Sequence, residues 1–345
     1  MGPGQTNTSG PYNSLLSKIK KQPVKILLTS NLNELWPTKK DLIHELIDEF
    51  PNVRFHIGYT ESSQRIHIVD ADATFGIPSA KIFELNQQLK WVHHPVSGFE
   101  LEANHPMVDS QVILTNAPNA HVIAMAEYVF ATMLAMTHRI GDHLKDQRQK
   151  KWNPTKYISS IRELDGQNLG IIGFGEVGKA IAKRASGFGM NTFGIARTKK
   201  SFDKNIATVW TPEKIDQLLS ISNWIVIAAP LTAQTRNLID ERKIKLIRSD
   251  AYVIILSRAH IVNERSLITA LTQGKLAGAI FDNFENQSPN KCSPLWDMEN
   301  VIITPHTSSM SSHLETARFD IYKHNIHKFI YGGQFIRVAD KIAGY

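Results

Sequence analysis

Gly173-Phe174-Gly175-Glu176-Val177-Gly178 sets three glycines at the G-x-G-x-x-G spacing. Such a hexamer suits a dinucleotide when it joins a strand to a helix. The first glycine permits the tight turn, the second lets backbone approach a pyrophosphate, and the third allows close helix–strand packing. Amide groups at the helix start then face phosphate with the positive end of the dipole. The next strand end carries the second signal. An NAD-binding chain usually places Asp or Glu there, roughly 20 residues on, to hold the ribose 2′-hydroxyl. Here the stretch reads Gly194-Ile195-Ala196-Arg197-Thr198-Lys199-Lys200, without an acid. Arg197, helped by Thr198 and Lys199, suits a 2′-phosphate instead. The expected cofactor is NADP, with NAD as the alternative.

These residues need elements to position them. Leu169–Ile172 reads as an apolar strand, Val177–Gly187 as a helix and Asn191–Ile195 as the next strand. Trp224–Ala228, Ala251–Leu256, Gly278–Phe281 and Val301–Ile303 supply further buried strands. An earlier series runs through Val24–Leu28, a helix over Lys40–Phe50, Val53–Ile57, Ala71–Phe75, Trp91–His93 and Val112–Thr115. Strands separated by helical stretches predict parallel, doubly wound sheets. One long helix is expected from about Ala120 to Lys151, and a final helix from about Ser312 to Tyr331.

With 345 residues the chain can hold two cores. The expected fold class is therefore α/β, two Rossmann-like doubly wound parallel-sheet domains with an interdomain cleft. The expected boundaries are a flexible arm at 1–21, a substrate-side, flavodoxin-like domain at 22–118 and 311–345, and a dinucleotide-binding domain at 119–310. Cys292 is the single cysteine, which excludes an intramolecular disulfide framework and a cysteine-built metal site. No metal is expected. The net charge of +7 comes from small, scattered basic groups without an aromatic-interleaved stripe, so no nucleic-acid partner is expected. No run reaches the roughly 18 apolar residues of a membrane span, and the chain is expected in the cytoplasm.

Beyond these readings, the sequence resembles the D-isomer-specific 2-hydroxyacid dehydrogenases, in the style of glyoxylate/hydroxypyruvate reductases. Lys90-Trp91-Val92-His93-His94-Pro95-Val96-Ser97-Gly98-Phe99-Glu100 is similar to the family's substrate loop. Asn116 to Tyr128 is similar to the start of its long interdomain helix, and Ala229-Pro230-Leu231-Thr232 with Thr235 to the segment beneath the cofactor. Ser257-Arg258-Ala259-His260-Ile261-Val262-Asn263-Glu264 and Thr304-Pro305-His306 are similar to the two catalytic segments. The resemblance implies a 2-oxo acid reduced to a D-2-hydroxy acid. Arg258 is then implied to grip the carboxylate and polarise the carbonyl, and His306 to protonate the forming alkoxide. Backbone amides of Val96, Ser97 and Gly98 are implied to hold the carboxylate, and Asp282 to lie near the nicotinamide. A homodimer is implied as well, built on the long helix with Trp152 near it. His93 and His94 stand where they could line the cleft.

The pattern breaks in places. The family pairs its histidine with a glutamate, and the matching position here is Gln287; Glu285 is two residues off register. Glutamine can orient an imidazole but cannot supply the charge that raises its pKa. Ala259-His260 and Asn263 also depart from the usual Gly-Gly or Gly-Ala and Asp. Three readings follow: a reductase with a lower-pKa histidine, a catalytically weakened cofactor-sensing binding protein, and formate dehydrogenase-like hydride transfer. Against the last, His121 stands where those enzymes place an asparagine, and Ala196-Arg197 departs from their NAD-binding acid.

Overall fold

The computed structural model describes residues 23–30, 42–96, 99, 101, 104–117, 120–198, 202–286, 288–311 and 313–342. The chain divides into two compact units, Met1–Ala120 with Ser312–Tyr345, and His121–Ser311.

The first unit is built on five parallel strands: β1 (Val24–Leu28), β2 (Val53–Ile57), β3 (Ala73–Phe75), β4 (Trp91–His93) and β5 (Ile113–Thr115), in the order β2-β1-β3-β4-β5. Both faces of the inner strands are covered, which is why Ile26, Leu27, Leu28, Phe75, Trp91 and Val92 form near-continuous apolar runs. The helix Leu314–Tyr331 returns to this unit and packs Phe319, Tyr322, Ile326 and Phe329 against Phe75 and Trp91. The tail beyond it makes an antiparallel bridge from Val338 to Thr115. Lys341 is anchored there too, donating to the carbonyls of Met107, Ser110 and Val112 at 2.9, 2.6 and 3.2 Å.

The second unit holds seven parallel strands: β6 (Asn168–Ile172), β7 (Asn191–Ile195), β8 (Thr208–Trp210), β9 (Trp224–Ile227), β10 (Tyr252–Ile255), β11 (Gly278–Phe281) and β12 (Val301–Ile303). Their order is β12-β11-β10-β9-β6-β7-β8, so the sheet reverses direction of winding between β6 and β9. Helices Val122–Thr137 and Glu176–Gly187 cover one face, and helices Ile215–Ile221 and Glu264–Thr272 the other. The parallel α/β reading of both series therefore holds.

The long helix does not run unbroken. It ends at Thr137, and Arg139 takes a left-handed conformation (φ 53°) before a second helix, Ile140–Arg148. Arg139 and Asp142 form an ion pair at 2.6 Å across the break. A non-glycine residue in that conformation costs about 1–2 kcal/mol, and the nearest glycine, Gly141, lies two residues on, inside the second helix. Apolar periodicity alone therefore reads straight through it.

Candidate active site

The glycine turn sits where β6 meets its helix, and each glycine is required for a separate reason. Gly173 has φ 103°, and a Cβ there would lie 2.3 Å from the Ala229 nitrogen. A Cβ on Gly178 would lie 2.6 Å from the Gly173 carbonyl oxygen, so only glycine lets the helix approach the strand. Gly175 caps the helix Glu176–Gly187, and a Cβ there meets nothing within 4 Å. That open approach is the space a pyrophosphate needs, so the turn fits a dinucleotide. The amides of Gly173 and Phe174 donate to the Ile195 carbonyl at 3.1 and 2.9 Å, tying the turn to the end of β7. Phe174 is buried over Gly194, where a Cβ would lie 2.2 Å from its ring.

The other expected residues fall along the same carboxyl edge of the sheet, strand by strand. His306 follows β12, Asp282 β11, Arg258 β10, Pro230 β9, Gly173 to Gly178 β6, and Arg197 with Thr198 β7. Neighbouring strands lie about 4.8 Å apart. Arg258 and His306 thus rise from strands about 10 Å apart, within reach of two long side chains converging on one small molecule. Ligands of open α/β sheets bind at this edge, beside the switch point. Arg197 and Thr198 are exposed at its far end. Lys199 and Gln287 lie outside the described residues, as do Ser97 and Gly98. Val96 is described in the first unit, where its carbonyl accepts from the Ala117 amide at 3.3 Å.

Each loop at the edge is braced by its own polar groups. Thr235 donates its hydroxyl to the Pro230 carbonyl at 2.7 Å and accepts from the Thr232 amide at 2.7 Å. Arg258 is half-buried, and the next amide, that of Ala259, donates to Asn283 Oδ1 at 3.0 Å. Asn263 caps the helix Glu264–Thr272 by accepting from the Ser266 amide at 2.9 Å. Asparagine caps as well as aspartate, so that departure from the family is structurally neutral. Glu264 accepts from the Glu285 amide at 3.0 Å. Burial pushes its carboxyl above the usual range, and the Glu285 charge adds to the rise.

Asp282 is 1% exposed and receives the Thr304 hydroxyl at 2.6 Å, the Thr307 amide at 2.8 Å and the Ser308 amide at 3.1 Å. Its carboxylate fixes the turn that carries His306, whose φ is 56°. Tyr128 reaches the same turn, its hydroxyl 2.7 Å from Thr304 Oγ1. Tyr128, Thr304 and Asn283 were not singled out individually by sequence. A motif names its chemical residues, whereas Tyr128 and Asn283 act on partners 176 and 24 positions away along the chain.

His93 is a core residue rather than a cleft residue. It is fully buried at the end of β4, with Nδ1 2.9 Å from Thr115 Oγ1. Among the described residues, no group of three or more His, Cys, Asp or Glu converges to hold a metal. No helix of the described residues is long and apolar enough to cross a membrane.

Comparisons with known proteins agree with this geometry. Residues 130–308 match the model of the D-isomer specific 2-hydroxyacid dehydrogenase, NAD binding domain. A glyoxylate reductase of Pyrococcus furiosus is 30% identical over 274 residues, covering 76% of this chain and 80% of that protein. One from Thermococcus onnurineus is 29% identical over 301 residues, covering 85% and 84%. An NADPH-dependent glyoxylate/hydroxypyruvate reductase from Sinorhizobium meliloti, solved with NADP and sulfate, superposes with a TM-score of 0.77. At 23% identity, over 94% of this chain and all of that one, the likeness is one of fold.

Proposed function

This chain belongs to the D-isomer-specific 2-hydroxyacid dehydrogenase family, whose members are NAD(P)-dependent, and from that premise we propose that it reduces glyoxylate or hydroxypyruvate with a preference for NADPH. The observation that carries the proposal is the order of groups along one sheet edge: glycine turn, Arg258, Asp282, His306. Arg197 and Thr198, exposed just past Ala196, which takes the place of the acid, support the cofactor preference. The glyoxylate reductase relatives support the substrate.

The glycine turn, with Pro230 and Thr235 beside it, would hold the dinucleotide, and reduced nicotinamide supplies the hydride when bound. Arg258 pairs with the substrate carboxylate and its carbonyl oxygen, stabilising the negative charge that develops as C2 is reduced. His306, as imidazolium, passes its proton to that oxygen and is left neutral, giving the 2-hydroxy acid. Gln287 stands where the family's glutamate would raise the imidazole pKa, so the rate should fall at lower pH than with a glutamate there.

A second reading rests on the same glutamine: a protein that binds NADPH but turns over slowly. A steady-state screen of 2-oxo acids with NADPH and NADH separates the two. The first reading expects turnover, weakened by Arg197→Asp with NADPH more than with NADH. Tight NADPH binding without turnover of any acid would favour the second. Gln287→Glu is expected to carry activity to higher pH, because the added charge keeps the imidazole protonated; an unchanged profile would remove Gln287 as its partner.

The exposed apolar side chains Ile123, Ile140 and Leu144 on the helices Val122–Thr137 and Ile140–Arg148, with Trp152 and Ile158 in the non-helical stretch that follows, support self-association through this part of the chain. Light scattering that gives a monomer mass would remove the dimer from this reading.

A further inference from the structure

The His306 turn is held in a conformation its sequence does not favour. A non-glycine residue at φ 56° needs surroundings that over-determine it. Asp282 supplies part of that constraint by accepting the Thr304 hydroxyl and the amides of Thr307 and Ser308. The Thr304 hydroxyl has one proton, and the 2.6 Å contact commits it to Asp282. Its oxygen must therefore accept from Tyr128, 2.7 Å away. Donation runs from Tyr128 to Thr304 to Asp282, and the Thr307 and Ser308 amides of the turn donate to the same carboxylate.

We infer that Tyr128 is a positioning residue for His306, acting through Thr304 and Asp282. The inference rests on the reading of His306 as proton donor. Tyr128 lies on the helix Val122–Thr137, whose face packs on the sheet through Met125, Val129 and Met133. The phenol thus refers the turn to a rigid element. Burial pushes its pKa up to about 12, with the Asp282 charge adding to the rise, so the hydroxyl keeps its proton throughout the neutral range. The chain is internally polarised, each donor strengthened by the next. Removing the phenol oxygen takes away the donor that the Thr304 oxygen accepts from.

The test is Tyr128→Phe, which deletes one oxygen and keeps the ring. Amide exchange at Thr307 and Ser308, measured without cofactor, is expected to speed up about tenfold. With glyoxylate and NADPH, kcat is expected to fall about tenfold while the Kd for NADPH stays within twofold. Thr304→Ser, which keeps the hydroxyl, should retain the original kcat. Adding Tyr128→Phe to Thr304→Val should slow the enzyme no further than Thr304→Val alone. Unchanged exchange at Thr307 and Ser308, or losses that multiply in the double variant, overturns the inference. His306→Asn separates the two ideas. If it is inactive while Tyr128→Phe is unaffected, only the positioning role fails; if it is fully active, the proton-donor reading fails and takes this one with it.

Discussion

An added methyl at Gly175 meets no atom within 4 Å, whereas at Gly178 it lies 2.6 Å from backbone oxygen. The two glycines should therefore fail differently. Gly175→Ala is expected to leave the melting temperature within a degree or two and to weaken NADPH binding at least about tenfold, because the methyl fills the phosphate's approach. Gly178→Ala must push the helix off the strand, costing about 1–3 kcal/mol of stability before any ligand is added. Calorimetry and NADPH titration on both variants check this, and equal melting temperatures would refute the assignment. The fingerprint was legible because its logic is local, three glycines within one turn. The Asp282 network was not. Its donors come from Thr304, Thr307 and Ser308, more than twenty positions on, and no spacing rule links them to an aspartate.

Strand β4 shows how an element can carry its own pH response. Trp91 Nε1 donates to Thr115 Oγ1 at 2.8 Å, and His93 Nδ1 lies 2.9 Å from the same hydroxyl. Burial, with the His94 charge adding, drives the His93 pKa down to about 3. The folded chain therefore refuses a proton that the unfolded chain accepts below pH 6.5. Stability should be flat above that pH and fall as pH drops toward 3, at about 1.4 kcal/mol per unit from this group. Denaturant melts at pH 7, 6 and 5 should show the slope, and His93→Gln, which keeps a polar contact to Thr115, should flatten it. An identical slope in the variant would mean that other groups carry the acid response. Element existence was largely readable here because buried parallel strands are continuous apolar runs. Two kinds of feature escaped. The strand Thr208–Trp210 is short and only partly buried, with little pattern to see. The break at Arg139 is a single backbone conformation inside an apolar period, invisible to any count of hydrophobic spacing.

At the scale of the whole chain, the first unit is completed only by residues that follow the second. Phe319, Tyr322, Ile326 and Phe329 are all buried among Phe75 and Trp91, and Phe329 lies 5.3 Å ring to ring from Trp91. The core of the first unit thus waits on the last tenth of the sequence, while the glycine turn, Arg258, Asp282 and His306 all belong to the unit His121–Ser311. Phe329→Ala removes a ring from a sealed core, a loss of about 3–5 kcal/mol. It should lower the melting of the first unit and leave the NADPH affinity of the second within twofold. Ligand then stabilises only what binds it: NADPH at 100 times its Kd adds about 2.7 kcal/mol to the second unit. Two transitions that separate further as NADPH is added to the Phe329→Ala protein would show this division of labour. A single transition that moves as one with ligand would show instead that the two cores unfold together, and the independence argued from their separate packing would have to be given up.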